Sequence, residues 1–305
     1  MKTIKQIILV LIITTLFGCK TDQQTNGKLN VVTTTTMISD LVENIGGDYI
    51  NINGLMGSGV DPHLYKASEG DVSKLVNADI IFYNGLHLEG KLVEVFEKMG
   101  SKTKTQIALG EELDKSTLIG SDYFASNYDP HVWFDINYYR QFATKVTKVL
   151  AEKDPKNKEA YYANEREYIA KLFLLESDIK AVIETLPKEK RILVTAHDAF
   201  NYFGKAYDFE VLGLQGLSTA TEAGVQDVQK LSAFIIERDI KAIFVESSVP
   251  KRTIEALQAA VKSKGHNVSI GGTLYSDALG TLGTEEGTYI GMFEYNVNTI
   301  VNALK

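Results

Sequence analysis

The sequence has a single cysteine, at position 19 of 305 residues. That scarcity excludes an intramolecular disulfide framework and every thiolate-rich zinc or iron–sulfur site, so any metal must be held by nitrogen and oxygen. Proline is scarce too, with five in all, and the 44% hydrophobic and 23% charged composition is that of an ordinary globular chain. Positive charge is in deficit: 32 Lys+Arg face 39 Asp+Glu, a formal charge of -7, and there is no long basic run. This argues against a nucleic-acid partner, whose phosphates require a Lys/Arg footprint. Glycine-rich stretches at 213–224 and 271–287 contain neither G-x-x-x-x-G-K-[ST] nor G-x-G-x-x-G after a strand, so phosphate binding is not supported. No fixed-period repeat or low-complexity tract is present. At roughly 150 residues per domain, the length suggests two domains.

The one long hydrophobic run is at the N-terminus. Lys2 and Lys5 precede Ile7–Phe17, eleven residues of low polarity, too short to span about 30 Å of hydrocarbon. Leu16-Phe17-Gly18-Cys19 looks like a bacterial lipobox, so residues 1–18 read as a signal peptide and Cys19 as the lipidated residue. Its removal would leave 30 basic against 39 acidic residues, a charge of -9. Residues 19–28 read as a flexible polar tether, TDQQTNGK being its last part.

Beyond the tether, β-branched runs alternate with amphipathic segments. Candidate strands are Leu29–Thr35, Ile50–Met56, Asp79–Tyr83 and Thr105–Leu109, then Arg191–Thr195, Glu210–Leu214, Lys241–Val245 and Val268–Gly271. Helical patterns between them include Met37–Ile45, Gly70–Asn77 and Leu88–Met99. Such alternation indicates an α/β fold of βαβ units with mostly parallel sheets. Asn157–Leu186 contains neither Gly nor Pro, and its apolar residues at 161, 168, 172, 175, 179, 182 and 186 keep a helical period. Thirty residues at 1.5 Å each make a helix of about 45 Å, bounded by Pro155 and Pro187. A bend near Ala170 is compatible with the same period. The expected organisation is an N-terminal lobe at 29–156, a linking spine helix at 157–187 and a C-terminal lobe at 188–305.

The histidines carry the chemistry. Five histidines and five prolines would rarely meet as Pro-His, yet two such dipeptides occur, as Asp61-Pro62-His63 and Asp129-Pro130-His131. Proline fixes its own φ and biases the residue before it, so D-P-H sets the direction of an imidazole on a loop, as a metal ligand needs. His197 ends a strand, where ligands collect in open α/β sheets. Asp277 follows the last strand, a place where an aspartate is more often an N-cap than a ligand. The separations 63→131, 131→197 and 197→277 suit one ligand per structural quarter, with no local zinc-finger arrangement.

These segments resemble the metal-binding lipoproteins, cluster A-I substrate-binding proteins, of ABC importers for zinc and manganese. The likeness runs through DPHLYKASEGDVSKL at 61–75, NGLHLEG at 84–90, DPHVWFD at 129–135, TAHDAFNYF at 195–203, GLQGLSTATEAG at 213–224, FVESSV at 244–249 and GGTLYSDALG at 271–280. It implies two lobes with parallel sheets flanked by helices, joined by one long rigid helix, with a metal between them held by His63, His131, His197 and Asp277. Asp277 as a ligand rests mainly on the resemblance. The third position, His or Glu in the family, is His197 here. Lys66-Ala67-Ser68-Glu69-Gly70-Asp71 stands where the family often carries prolines, which loosens that loop without changing a ligand. The His- and acid-rich loop of many zinc-specific members is absent.

Three imidazoles and one carboxylate favour Zn²⁺, with Mn²⁺ next and iron lower. Asp135, Glu246 and Asp198 are candidates to orient the imidazoles. His87 is expected to be structural and His266 exposed, while Trp133 and Phe134 wall the site. The function implied is an extracytoplasmic, lipid-anchored monomeric receptor rather than an enzyme, delivering its metal to an ABC permease after a small hinge motion. It would sit in the cell envelope, periplasmic or on the outer face of the cytoplasmic membrane. The rivals are a metal-dependent hydrolase, which would need an open ligand position, and a surface adhesin with a structural metal.

Overall fold

The structure is a computed structural model that describes residues 27–99, 105–122 and 124–305. The leader, the lipobox with Cys19 and all but the last two tether residues lie outside the described residues. Among the described residues, no helix is long and apolar enough to cross a membrane.

Each predicted strand forms, with its ends shifted by a few residues. In the first lobe β1 (Leu29–Thr33), β2 (Ile50–Gly54), β3 (Ile80–Tyr83) and β4 (Thr105–Ala108) make one parallel sheet in the order β2-β1-β3-β4. In the second, β5 (Ile192–His197) pairs in parallel with β6 (Glu210–Gln215), and β7 (Ala242–Glu246) with β8 (Ser269–Leu274). β5 and β7 lie against each other, so the second lobe repeats the strand order of the first. In both, the chain starts centrally, steps to one side and then crosses to the other. The carboxyl ends beside that reversal are where an open α/β sheet leaves a crevice.

The helices are α1 (Thr36–Gly46), α2 (Glu69–Asn77), α3 (Val93–Met99), α4 (Ile136–Lys153), α5 (Lys158–Glu184), α6 (Asn201–Tyr207), α7 (Val225–Glu237), α8 (Arg252–Ser263) and α9 (Tyr289–Leu304). Strand alternation sends successive residues to opposite faces. Val32 and Ile81 face outward onto Leu75 of α2 and Phe96 of α3, while Val194 and Ile243 face Ile235 of α7 and Leu257 of α8. The intervening Val31, Ile80 and Phe82 join Leu193, Ala242 and Phe244 in one apolar cluster common to both lobes. That cluster also holds Trp133, Phe134, Leu172, Tyr289 and Phe293.

The predicted spine is α5, 27 residues without a break at Ala170, about 40 Å long. Its buried face carries Tyr161, Tyr168, Leu172, Leu175, Ile179 and Ile183. Ile183, rather than the expected Val182, takes the buried place, as the 3.6-residue period dictates. It packs on α4 and α1 of the first lobe and α9 of the second, so a single helix ties the two together.

One predicted element starts late. The helix expected from Leu88 begins at Val93; residues 88–92 form turns closed by Leu88 N–H to Gly85 O and Leu92 N–H to Glu89 O, and just before them Gly85, Leu86 and His87 all adopt positive φ, 75°, 50° and 62°. Two of these are not glycine, a conformation that costs energy and persists only when its surroundings hold it. The left-handed turn aims the backbone N–H groups of Asn84 and Gly85 at the buried Glu89, to which they donate at 2.8 and 3.1 Å.

Candidate metal centre

Three loops and the end of one strand converge. His63 lies in the loop after β2, His131 in the loop after β4, His197 is the last residue of β5, and Asp277 follows β8. Both D-P-H motifs fold as Asx-turns. Oδ1 of Asp61 accepts the N–H of His63 at 2.8 Å, and Oδ1 of Asp129 accepts that of His131 at 2.9 Å. An aspartate that bonds backbone two residues on, across a proline with preset φ, leaves the histidine little freedom of direction. Asn84 steadies the second turn by donating from Nδ2 to the carbonyl of Pro130 at 3.0 Å.

The resulting cluster is compact and dry. His63 is 4% exposed, His131 and His197 are wholly buried, and Asp277 is 1% exposed. Nε2 of His63 stands 3.3 Å from Nε2 of His131. Asp277 Oδ2 is 3.2 Å from His197 Nε2 and 3.7 Å from His63 Nε2, and its Oδ1 is 3.6 Å from His131 Nε2. One ligand atom from each of the four residues lies within 4.8 Å of all the others. Donors at about 2.0–2.1 Å from a tetrahedral zinc are about 3.3–3.4 Å from one another, so the short contacts match a shared ion.

The hydrogen-bond inventory points the same way. His197 Nε2 and both oxygens of Asp277 are buried without a hydrogen-bond partner, and a buried polar atom left so is costly unless something else satisfies it. His131 Nδ1 lies 2.7 Å from Asp129 Oδ1. A carboxylate only accepts, so this nitrogen carries the proton and Nε2 turns a lone pair inward. His197 Nδ1 lies 2.6 Å from Glu246 Oε2, off the ideal N–H···O line.

The electrostatics call for a cation. Asp129, Glu246 and Asp277 are all buried, whereas among the described residues no lysine or arginine is. Burial holds the His63 imidazole down to about 3, against the pull of Asp277, which keeps it neutral. Burial also disfavours charge on His197, but the Glu246 and Asp277 carboxylates outweigh it and raise that group well above the usual range. Burial would lift Asp277, yet His197, His131 and His63 hold it below the usual carboxylate range. Without an ion, the positive charge that the buried Glu246 and Asp277 carboxylates call for falls on a proton at His197, and a bound cation would take that proton's place.

The structure brings together the four residues singled out as ligands and places Glu246 behind one of them. It sets Asp135 and Asp198 elsewhere. Asp135 is the N-cap of α4, accepting the N–H of Asn137 at 2.8 Å, because a short acid just ahead of a helix finds free backbone donors. Asp198 Oδ1 accepts the N–H of Gly213 at 2.7 Å instead of touching an imidazole. His87 is exposed and outside the cluster. His266 is not fully exposed: it is partly buried, with Nε2 3.7 Å from Asp239. Trp133 stacks edgewise on His131, 5.3 Å between centroids, and donates from Nε1 to the carbonyl of Ser276 at 3.1 Å. Phe134 packs on Phe200 with centroids 4.5 Å apart. The orienting role of Asp129 was missed, although the D-P-H motif itself displays the residue.

Comparison with known proteins gives concordant matches. Residues 31–303 match the family described as zinc-uptake complex component A, periplasmic. The chain is 47% identical over 293 residues to the manganese-binding lipoprotein MntA of Bacillus subtilis (strain 168), covering 95% of each protein. It is 47% identical over 288 residues to the zinc-binding protein TroA of Treponema pallidum (strain Nichols), covering 94% of this chain and 92% of that one. The solved structure of the latter superposes with a TM-score of 0.89, over 91% of this chain and 99% of that one. The manganese ABC transporter substrate-binding lipoprotein PsaA of Streptococcus mitis is 33% identical over 307 residues, covering 97% of each.

Proposed function

The chain belongs to the family of periplasmic component A of zinc-uptake complexes, and from that membership we propose an extracytoplasmic receptor that takes a divalent transition metal as cargo and passes it to an ABC importer. His63, His131, His197 and Asp277 are its ligands in this reading. The observation that carries it is the set of buried, unpartnered atoms, His197 Nε2 and Asp277 Oδ1 and Oδ2, facing two further imidazoles within coordination distance.

Zinc is the favoured cargo and manganese the second. Three imidazole nitrogens suit zinc, which also outranks manganese in intrinsic affinity for such donors. Similarity does not separate them, since relatives named for manganese and for zinc are each 47% identical to this chain. Anchoring through acylated Cys19 is part of the same reading, supported by the lipobox and by relatives named as lipoproteins.

The test is a competitive titration of the metal-stripped chain, begun at residue 20, with zinc and with manganese, followed by calorimetry. One ion per chain is expected, bound reversibly, with affinity lost in both His63→Ala and Asp277→Ala. Binding indifferent to both substitutions would remove the site. Acylation is tested by labelling the full chain with a radioactive fatty acid, which Cys19→Ala should abolish.

A further inference from the structure

The two Asx-turns have a second property in common. In each, the aspartate spends one oxygen on the ligand's own N–H and the other on a donor from the opposite lobe. Thr219 Oγ1, in the loop between β6 and α7, donates to Asp61 Oδ2 at 2.6 Å. Asn201 Nδ2, at the start of α6, donates to Asp129 Oδ2 at 3.0 Å. The loop of Asp277 is held reciprocally from the first lobe. There Trp133 Nε1 donates to Ser276 O, Ser58 Oγ donates to Leu279 O at 3.0 Å, and Leu279 N donates to Thr36 Oγ1 at 2.8 Å.

We infer that Thr219 and Asn201 are positioning residues that make the set of the two D-P-H histidines conditional on lobe closure. This rests on the metal-receptor reading above. The physical ground is that a carboxylate bonded through one oxygen can still rotate about its Cβ–Cγ bond and let go of the histidine N–H. A carboxylate bonded through both oxygens cannot turn without breaking two hydrogen bonds at once. Closure supplies the second bond, so the imidazole is locked only while the opposite lobe is in place. Loosening the lobes frees Asp61 first and His63 next, while Asp129 loses one tether but keeps its two bonds to His131. Both turns lie in the first lobe and both donors in the second, so within its own lobe His63 has a single bond from its aspartate, whereas His131 keeps two, at its N–H and its Nδ1, from Asp129 Oδ1.

The roles of the two donors are not equal. Asp129 keeps a further cross-lobe contact through its carbonyl, which accepts from Tyr202 Oη at 3.0 Å. Thr219 is accordingly the more sensitive position.

The experiment measures zinc dissociation by stopped-flow transfer to an excess chelator, and zinc association separately, for the whole chain from residue 20. Thr219→Val keeps the shape and removes the donor. It is expected to speed dissociation about tenfold, within the 10–100-fold range for losing an outer partner of a metal ligand, with association within about twofold of the parent. Thr219→Ser should restore the parental rate, and the melting temperature of the metal-free protein should be unchanged by either. Asn201→Ala should give a smaller acceleration, and the double variant more than either. A Thr219→Val rate equal to the parent's would overturn the inference, as would a slowed association with normal dissociation. So would a fall in metal-free stability that Thr219→Ser does not repair. His197→Ala is the separate control on the underlying reading: if it binds zinc as the parent does, the metal centre itself is misplaced and the inference falls with it.

Discussion

Glu246 grips His197 at two points. Its Oε1 accepts the backbone N–H of His197 at 2.8 Å, and its Oε2 stands 2.6 Å from Nδ1 of the same residue, with both side chains fully buried. The two belong to β7 and β5, neighbouring strands of the second lobe, so the imidazole is fixed to the sheet rather than to a loop.

Glu246→Gln should therefore weaken metal binding about 10–100-fold while leaving the fold intact. The amide keeps the size and an acceptor but loses the charge that favours a cation at His197. Competitive titration of the purified variant measures the loss, and circular dichroism checks the fold. An unchanged affinity would assign Glu246 a purely structural role.

Stripping the metal should lower the melting temperature without unfolding the protein. The packed interior is apolar and independent of the ion, unlike a domain whose fold a metal creates. At a free metal concentration of 100 times Kd, binding adds about 2.7 kcal/mol, which for a chain of this size is roughly 4–5 °C. Differential scanning calorimetry with and without chelator reads the shift. Unfolding on chelation would make the metal structural.

Asp40 offers a stability switch away from the metal. It sits at the junction of α1, α5 and α9, where Oδ2 accepts from Tyr168 Oη at 3.0 Å and from the N–H of Tyr289 at 3.2 Å. Burial pushes its carboxyl up to about 6, against these hydrogen bonds. The folded chain therefore keeps a proton that the unfolded chain gives up near pH 4. Its contribution to stability is present below about pH 4 and lost as pH rises through about 6. Asp40→Asn should be more stable than the parent at pH 7.5, by up to about 3 kcal/mol, and the gap should close as pH falls to 4. Urea unfolding of both proteins across this range is the measurement, and a gap that widens toward low pH would refute the assignment.

Trp133→Phe keeps an aromatic ring against His131 but removes the donor to Ser276 O. The expected cost is about 1 kcal/mol of stability, with a weaker hold on the metal because the Asp277 loop loses a tether. Paired urea unfolding and zinc titration separate the two effects.

Much of this architecture is legible in the residues. The β-branched runs locate all eight strands, most plainly the wholly buried β5 and β7, and a Gly- and Pro-free stretch with a 3.6 period marks helix without saying whether it bends. His63 and His131 announce themselves through a repeated tripeptide. His197 is suggested by its place at a strand end, whereas Asp277 is an ordinary loop aspartate until the fold carries it to the histidines. The partners of Asp61 and Asp129 are illegible for the same reason, since Thr219 and Asn201 lie 158 and 72 residues away. The left-handed turn ahead of α3 is hidden because Leu86 and His87, unlike glycine, give no sign of positive φ.

The interior shared by the two lobes has a consequence for how cargo leaves. Tyr139 of α4 lies flat on Tyr289 of α9, 3.6 Å between ring centroids, and Phe134 lies against Phe200 across the same boundary. Parting the halves like a clamshell would put these rings into water. What can give way cheaply is the rim of polar contacts at the strand ends, where water can replace each hydrogen bond as it breaks. A permease that meets this rim has to trade hydrogen bonds with it, not prise the molecule open.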